Sequence, residues 1–299
     1  MKQLAGISVV DLTRYLPGPF ASRELMRLGA QVTRLLPPGG DPHRELAPAW
    51  YDALNAGKEC VEIDLKAEPQ RGQTLCAKAD VVLESFRPGV VNRLGIGPPD
   101  LPETVVYCSF TGFGPDDLRA GHDLNYQGWA GLLHDTAPAM PPVQIADLGA
   151  ALRAVALVTA ALLERERTGR GTHIVVSLTD TAHELAAHRL GGEPVPKLLT
   201  GGLACYRIYP TADGRHLTVA ALEPRFFQRL CELLGRPELA ERQYGSAQDE
   251  LALELAELIA AKPLATWLEL FDGEDVSVGP VSTLEEASAF LRGAPVRDD

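Results

Sequence analysis

The chain has 299 residues, enough for one large domain or two unequal ones, and its 45% hydrophobic and 23% charged content belongs to a folded globular protein, not a disordered or low-complexity chain. Its 28 Lys and Arg face 40 Asp and Glu, and the net charge of −12 opposes the attraction a polyanion requires, which excludes nucleic acid as an expected partner. Cys60, Cys76, Cys108, Cys205 and Cys231 are scattered, odd in number and free of any CxxC pair, a pattern that speaks against a disulfide framework or zinc site and fits a reducing cytoplasm.

Ile7 to Leu12 reads as a buried strand carrying Asp11. The breaker Pro17-Gly18-Pro19 follows it, then a helical stretch from Phe20 to Leu28 closed by Gly29, then a second strand from Gln31 to Leu36. Strand, helix and strand in that order form a βαβ unit and predict a parallel, doubly wound sheet. Cys60 to Leu65, Val81 to Phe86 and Val105 to Phe110 continue it as strands, with a helix near Gln70 to Ala79. Leu148 to Arg167 has Leu, Val and Ala at helical spacing, with Asp147 before it as candidate N-cap and Thr168-Gly169-Arg170-Gly171 as the stop. Its longest apolar run, Ala154 to Leu163, is about half of the ~20 residues a membrane span needs, and the N-terminal apolar stretch meets Asp11 at once, so neither a transmembrane segment nor a signal sequence is expected. His173 to Leu178 reads as the last strand of the sheet.

Beyond a Gly- and Pro-rich loop from Gly191 to Gly202, Tyr206 to Tyr209 and His216 to Ala220 flank Ala212-Asp213-Gly214 as a hairpin. Helices at Arg225 to Leu234 and Leu251 to Ala260 complete a smaller α+β domain. The expected fold is therefore α/β: a Rossmann-like, doubly wound large domain over 1–190 and a small domain over 200–283.

No GxGxxG and no Walker lysine follow the first strand, which weakens a dinucleotide oxidoreductase. His183-Glu184 and His188 resemble a zincin motif with one residue too many, so the two histidines do not share a helix face, and no metal is expected. Arg87-Pro88-Gly89 directly follows a strand and Arg93 lies on a short helix beyond it. Both arginines suit a phosphate at the carboxyl end of the sheet, although an ordinary turn with solvated arginines explains the same pattern. His122, in Gly121-His122-Asp123-Leu124-Asn125-Tyr126, is either a hydrogen-bonded structural group or an acid/base partner of Asp147. Asp147 reads equally well as a cap, and Glu223, in Ala221-Leu222-Glu223-Pro224, reads alone as a helix-start residue.

Together these segments resemble the class III CoA-transferases, a family that includes formyl-CoA and carnitine CoA-transferases and the α-methylacyl-CoA racemases. The resemblance rests on Val10-Asp11-Leu12 with Pro17-Gly18-Pro19-Phe20, Ile63-Asp64-Leu65-Lys66, ADVVLESFRPGVVNRLGIG at 79–97, Thr111-Gly112-Phe113-Gly114, GHDLNY at 121–126, Ile145-Ala146-Asp147, ERERTGRG at 164–171 and ADGRHLTVAALEPRFF at 212–227. It implies an interlocked homodimer, CoA bound by the large domain as part of the substrate with no separate cofactor, and a C-terminal segment, 284–299, that returns to the large domain. By position, Arg87 and Arg93 would contact the CoA phosphates and adenosine end, with Asp123 and Tyr126 as further candidate CoA contacts, and Asp147 would be the catalytic aspartate.

In the transferases of this family the aspartate attacks an acyl-CoA; in the racemases it exchanges a proton beside the thioester carbonyl. The His of GHDLNY and the Glu of ALEP resemble the racemase branch, with His122 as second acid/base and Glu223 as its orienting partner. Reference pKa values of about 6.5 for His and 3.9 for Asp let the pair trade a proton once burial raises the aspartate. Backbone N–H groups at the Asp147 helix start are the expected donors to the thioester oxygen. Racemisation of a 2-methylacyl-CoA is the preferred reading; CoA transfer between carboxylic acids and a non-catalytic CoA-ester binder on the same scaffold are the alternatives.

Overall fold

The structure, a computed structural model, describes residues 2–195 and 197–293. The chain divides into two units, Met1–His188 and Arg189–Asp299.

The first unit is built on six parallel strands: β1 (Ser8–Asp11), β2 (Gln31–Leu36), β3 (Glu59–Glu62), β4 (Val81–Glu84), β5 (Val106–Thr111) and β6 (His173–Ser177), in the order β3-β2-β1-β4-β5-β6. β4 is buried along its whole length and β5 at all but its last residue, as a sheet covered on both faces demands. The side chains alternate between two cores. Val9, Val81, Leu83, Val106 and Cys108 pack on one face with the helices Pro17–Arg27 and Ile145–Thr168, while Val10, Val82 and Tyr107 pack on the other with Cys76 of the helix Pro69–Ala77. Strand order reverses between β1 and β4, so the loops leaving those two strands diverge and open a crevice at the carboxyl end of the sheet.

The helix Ile145–Thr168 is longer than its apolar run suggests and by length and composition could cross a membrane. Here Ala146, Ala150, Ala151, Ala154 and Val158 are fully buried against the core, while Leu152 and Leu163 remain exposed. Gly169, in the left-handed conformation, ends it. His183 and His188 sit on separate short helices, Leu178–Glu184 and Ala187–Leu190, and no group of metal-ligating side chains occurs among the described residues.

The second unit carries the expected hairpin, β7 (Tyr206–Pro210) with β8 (His216–Ala220), to which a short third strand, β9 (Val278–Pro280), pairs antiparallel. The helices Pro224–Leu233, Gln248–Ile259 and Leu264–Phe271 supply its core, in which Phe227, Leu230, Leu251, Leu255 and Trp267 are buried. The segment expected to return to the large domain groups, over its described part 284–293, with this second unit, where Arg215 forms a two-nitrogen ion pair with Glu286. Residues 294–299 lie outside the described residues.

Candidate active site

Two cavities of about 490 Å³ each open at the carboxyl end of the six-stranded sheet. Arg34, Asp41, His43, Ile63 and Leu94 contribute to the wall of the first. The second is lined by Arg87, Thr111, Arg119, His122, Tyr126 and Asp147. Arg14, Tyr15 and Phe86, from the loops after β1 and β4, line both, so the cavities adjoin at the strand-order reversal.

Asp147 is not the N-cap. The helix begins at Ile145 after Gln144, which places the carboxylate in the first turn. The capping is done from a distance: Oδ1 of Asp123 accepts the backbone N–H groups of Ala146 at 2.9 Å and Asp147 at 3.0 Å, and its Oδ2 accepts Gln127 Nε2 at 2.5 Å. Asp123 is buried, and both of its oxygens are used inside the protein, which corrects the expectation of a CoA contact from this residue. The same bonds correct the expected thioester donors: the Ala146 and Asp147 N–H groups are taken by Asp123, and that of Leu148 by the Gln144 carbonyl. Burial, reinforced by the nearby charge of Asp123, pushes the Asp147 carboxyl up to about 7.

Tyr126 is packed where small residues leave room for it. A Cβ on Gly112 or Gly121 would come within 2.9 or 2.7 Å of its ring, and its hydroxyl donates to the Gly121 carbonyl at 2.5 Å. The TGFG and GHDLNY segments are thereby clamped together, with Tyr126 forming cavity wall. Its hydroxyl is driven upward in pKa by burial and then by the charges of Asp147 and Asp123.

His122 precedes the helix Asp123–Trp129 and donates its backbone N–H to Asn125 Oδ1 at 3.1 Å. It lines the same cavity as Asp147, so the structure brings the two candidate acid/base residues together. Arg87 is exposed and lines that cavity too. Arg93, also exposed, lies on the short helix Val90–Arg93, whose Val90 faces the first cavity, and its Nη1 is 3.4 Å from where a Cβ on Gly89 would stand. Among the described residues neither arginine has a carboxylate partner within ion-pair range. Glu223 belongs to the second unit, where it is exposed and precedes the helix Pro224–Leu233.

Sequence reasoning missed a buried charge cluster beneath the first cavity. Asp11 and Arg34 are register partners on β1 and β2, with Arg34 Nε 3.8 Å from Asp11 Oδ2, and Arg34 Nη2 donates to Asp41 Oδ2 at 3.0 Å. Lys58 Nζ lies 3.6 Å from Asp11 Oδ2 and donates to the Pro19 carbonyl, Ser22 Oγ and Asn55 Oδ1. Two carboxylates thus offset two cations, the arrangement that buried charge requires. Burial lowers the Lys58 ammonium to about 8. The available signal was a charge inside each of two apolar strands, VVDL and VTRLL. Arg119 was missed as well. It reaches the second cavity while paired through two nitrogens with Asp117 and lying over the rings of Phe113 and Trp129.

The family model described as CoA-transferase family III matches residues 4–292. The chain is 34% identical over 310 residues to the α-methylacyl-CoA racemase of Mus musculus, covering 95% of this chain and 79% of that protein. It is 32% identical over 323 residues to the succinyl-CoA:glutarate CoA-transferase of the same organism, covering 96% and 73%. Among solved structures, Rv3272 from Mycobacterium tuberculosis superposes with a TM-score of 0.85 at 31% identity, covering 98% of this chain and 87% of that one.

Proposed function

The chain belongs to CoA-transferase family III, whose members are racemases and CoA-transferases, and from that premise we propose that it racemises a 2-methylacyl-CoA by exchanging the proton on the carbon beside the thioester carbonyl. The observation that carries this reading is a carboxyl held up at about 7 in the cavity that also holds a histidine. An aspartate at its ordinary value is ionised at neutral pH and a poor proton donor; Asp147 is available in both forms. In one direction Asp147 takes the α-proton, leaving a planar enolate, and the imidazolium of His122 returns a proton to the opposite face. In the other direction the roles reverse, and the same carbon gains and loses one proton. Glu223 is proposed to orient His122, and Arg87 and Arg93 to bind the CoA phosphates as charge-assisted donors.

The chain is further proposed to act as an interlocked homodimer, a reading supported by the exposed apolar side chains Leu152, Leu163 and Trp129 of the first unit. Sedimentation at micromolar concentration tests it, and a monomer would refute it.

The chemistry is tested by incubating the protein with (2R)- and (2S)-methylacyl-CoA in D₂O. Deuterium entering the α-carbon from both epimers, with no adduct trapped by hydroxylamine or borohydride, is the expected result. A covalent acyl or CoA adduct on Asp147 would refute proton exchange and establish CoA transfer in its place.

A further inference from the structure

We infer that Tyr15 is a positioning residue for His122, its ring fixing the orientation of the imidazole from the boundary between the two cavities. The inference rests on the proton-exchange reading for the rate it measures, but not for its structural readout.

Tyr15 has φ +63°, a left-handed backbone conformation that crowds the Cβ of an L-residue and that glycine takes freely. Among the described non-glycine residues it shares this feature only with Lys197. Such a conformation persists where the surroundings over-determine it, and here they do. Upstream, Asp11 Oδ1 accepts the Thr13 N–H at 2.9 Å, and the Arg14 N–H reaches Ser85 Oγ at 3.2 Å. Downstream, the helix starts at Pro17, and the next residue, Gly18, has no room for a side chain, since a Cβ there would lie 2.1 Å from Thr13 Oγ1. Between these anchors the chain turns the Tyr15 side chain outward, leaving it 54% exposed.

The ring is used at both edges. It meets His122 edge-to-face, with centroids 5.5 Å apart and an interplanar angle of 89°, and meets His43 at 5.9 Å and 77°. His43 is itself held, Nδ1 lying 3.0 Å from Asp41 Oδ1, and Asp41 is held by the buried Arg34. At the start of the following helix His122 is held through its backbone N–H, which Asn125 Oδ1 accepts, and the aromatic contact of its imidazole is the edge-to-face one with Tyr15. Tyr15 lines both cavities, which places this contact at their junction. A glycine would relieve the backbone and lose the support; the tyrosine accepts the strain and provides it.

The test compares wild type, Tyr15→Phe and Tyr15→Gly by α-proton exchange rates and by the imidazole ¹⁵N–¹H spectrum of His122, assigned with His122→Gln. Tyr15→Gly is expected to fold at least as well as wild type by thermal melting. Its kcat should fall about tenfold, the scale of one aromatic pair, with KM changed by less than about threefold. Tyr15→Phe, which keeps both ring edges, should restore most of the loss. The His122 signals should shift and broaden in Tyr15→Gly and return in Tyr15→Phe. Unshifted His122 signals in Tyr15→Gly would overturn the inference whatever the rates do. If no protein in the series, wild type included, exchanges the proton, the proton-exchange reading fails, and the spectra alone still decide the role of Tyr15.

Discussion

Replacing Asp147 by Asn should stabilise the protein at neutral pH and above, and by an amount that depends on pH in a defined way. Burial and the Asp123 charge carry this carboxyl from 3.8 to about 7. At ~1.4 kcal/mol per pH unit the folded chain therefore binds that proton more tightly than the unfolded chain by about 4 kcal/mol, and solvent reaching a half-buried group trims this to about 2 to 4 kcal/mol. Because the folded value lies above the unfolded one, the stabilisation from the protonated carboxyl is complete below pH 3.8 and is lost as pH rises through about 7. The amide does not titrate. The stability difference between Asp147→Asn and wild type should thus grow by about 2 to 4 kcal/mol between pH 4 and pH 8 and then level off. Urea unfolding at a series of pH values, followed by hydrogen exchange in peptides spanning 145–168, measures it. A difference that stays flat over this range would mean that the carboxyl titrates as an ordinary aspartate, and the case for a proton donor at this position would collapse with it.

Three further outcomes follow from the same geometry. Asp123→Ala removes the acceptor for two helix-start N–H groups and should cost about 1 to 2 kcal/mol by thermal melting; it should also bring the Asp147 carboxyl down, though not to its ordinary value because burial remains, as a ¹³C carboxyl titration will read. Lys58→Met strips Asp11 of one of its two cations and should destabilise by about 3 to 5 kcal/mol in urea, with part of the loss recovered by adding Asp11→Asn. Arg87→Gln should weaken CoA binding by about tenfold and flatten its salt dependence in calorimetric titrations, because an exposed guanidinium acts on phosphate through a charge that salt screens.

The large domain was legible because its central strands, β1, β4 and β5, are buried on both faces. Gln31–Leu36 occupies the span its apolar run defines, and β1, β4, β5 and β6 fall within two residues of theirs at either end. The strand read at Cys60 to Leu65 ends instead at Glu62, since Asp64 turns its carboxylate onto the N–H groups of Lys66 and Ala67 and pulls the chain out of the ladder. β9 escaped notice because three residues ending in proline at a sheet edge carry no periodic signal; only pairing with β8 makes them a strand. At the site, Asp147 and His122 stand out by their motifs, but which oxygen caps which helix did not. Asp147 had the position expected of a cap, and Asp123, 24 residues earlier, took the role because the helix Asp123–Trp129 packs beside the start of the long helix. Arg14 and Tyr15 were invisible for a similar reason: they acquire meaning only where the loops after β1 and β4 face each other.

The buried charge cluster explains how a loop so short can hold a strained residue in place. An isolated ion pair in the core seldom adds stability over an apolar replacement, so Asp11, Arg34 and Lys58 are better understood through what they fix. Asp11 gathers the Thr13 amide and hydroxyl and the Ser22 hydroxyl, binding the end of β1 to the helix Pro17–Arg27. Lys58 ties the same helix to the turn before β3 through the Pro19 carbonyl and Asn55. Arg34 extends the network through Asp41 to the wall of the first cavity. Of the elements that frame residues 14 and 15, β1, β2 and the helix Pro17–Arg27 end on one carboxylate, that of Asp11, while the loop after β4 holds the Arg14 N–H through Ser85. The loss of Asp11 should loosen the first cavity and the His122 contact together, whereas the loss of Asp123 should act on the start of the Asp147 helix and on the helix Asp123–Trp129 through Gln127. The two acids differ in what they anchor: Asp123 holds the start of the long helix and adds to the burial that raises Asp147, and Asp11 holds the loop that carries Tyr15.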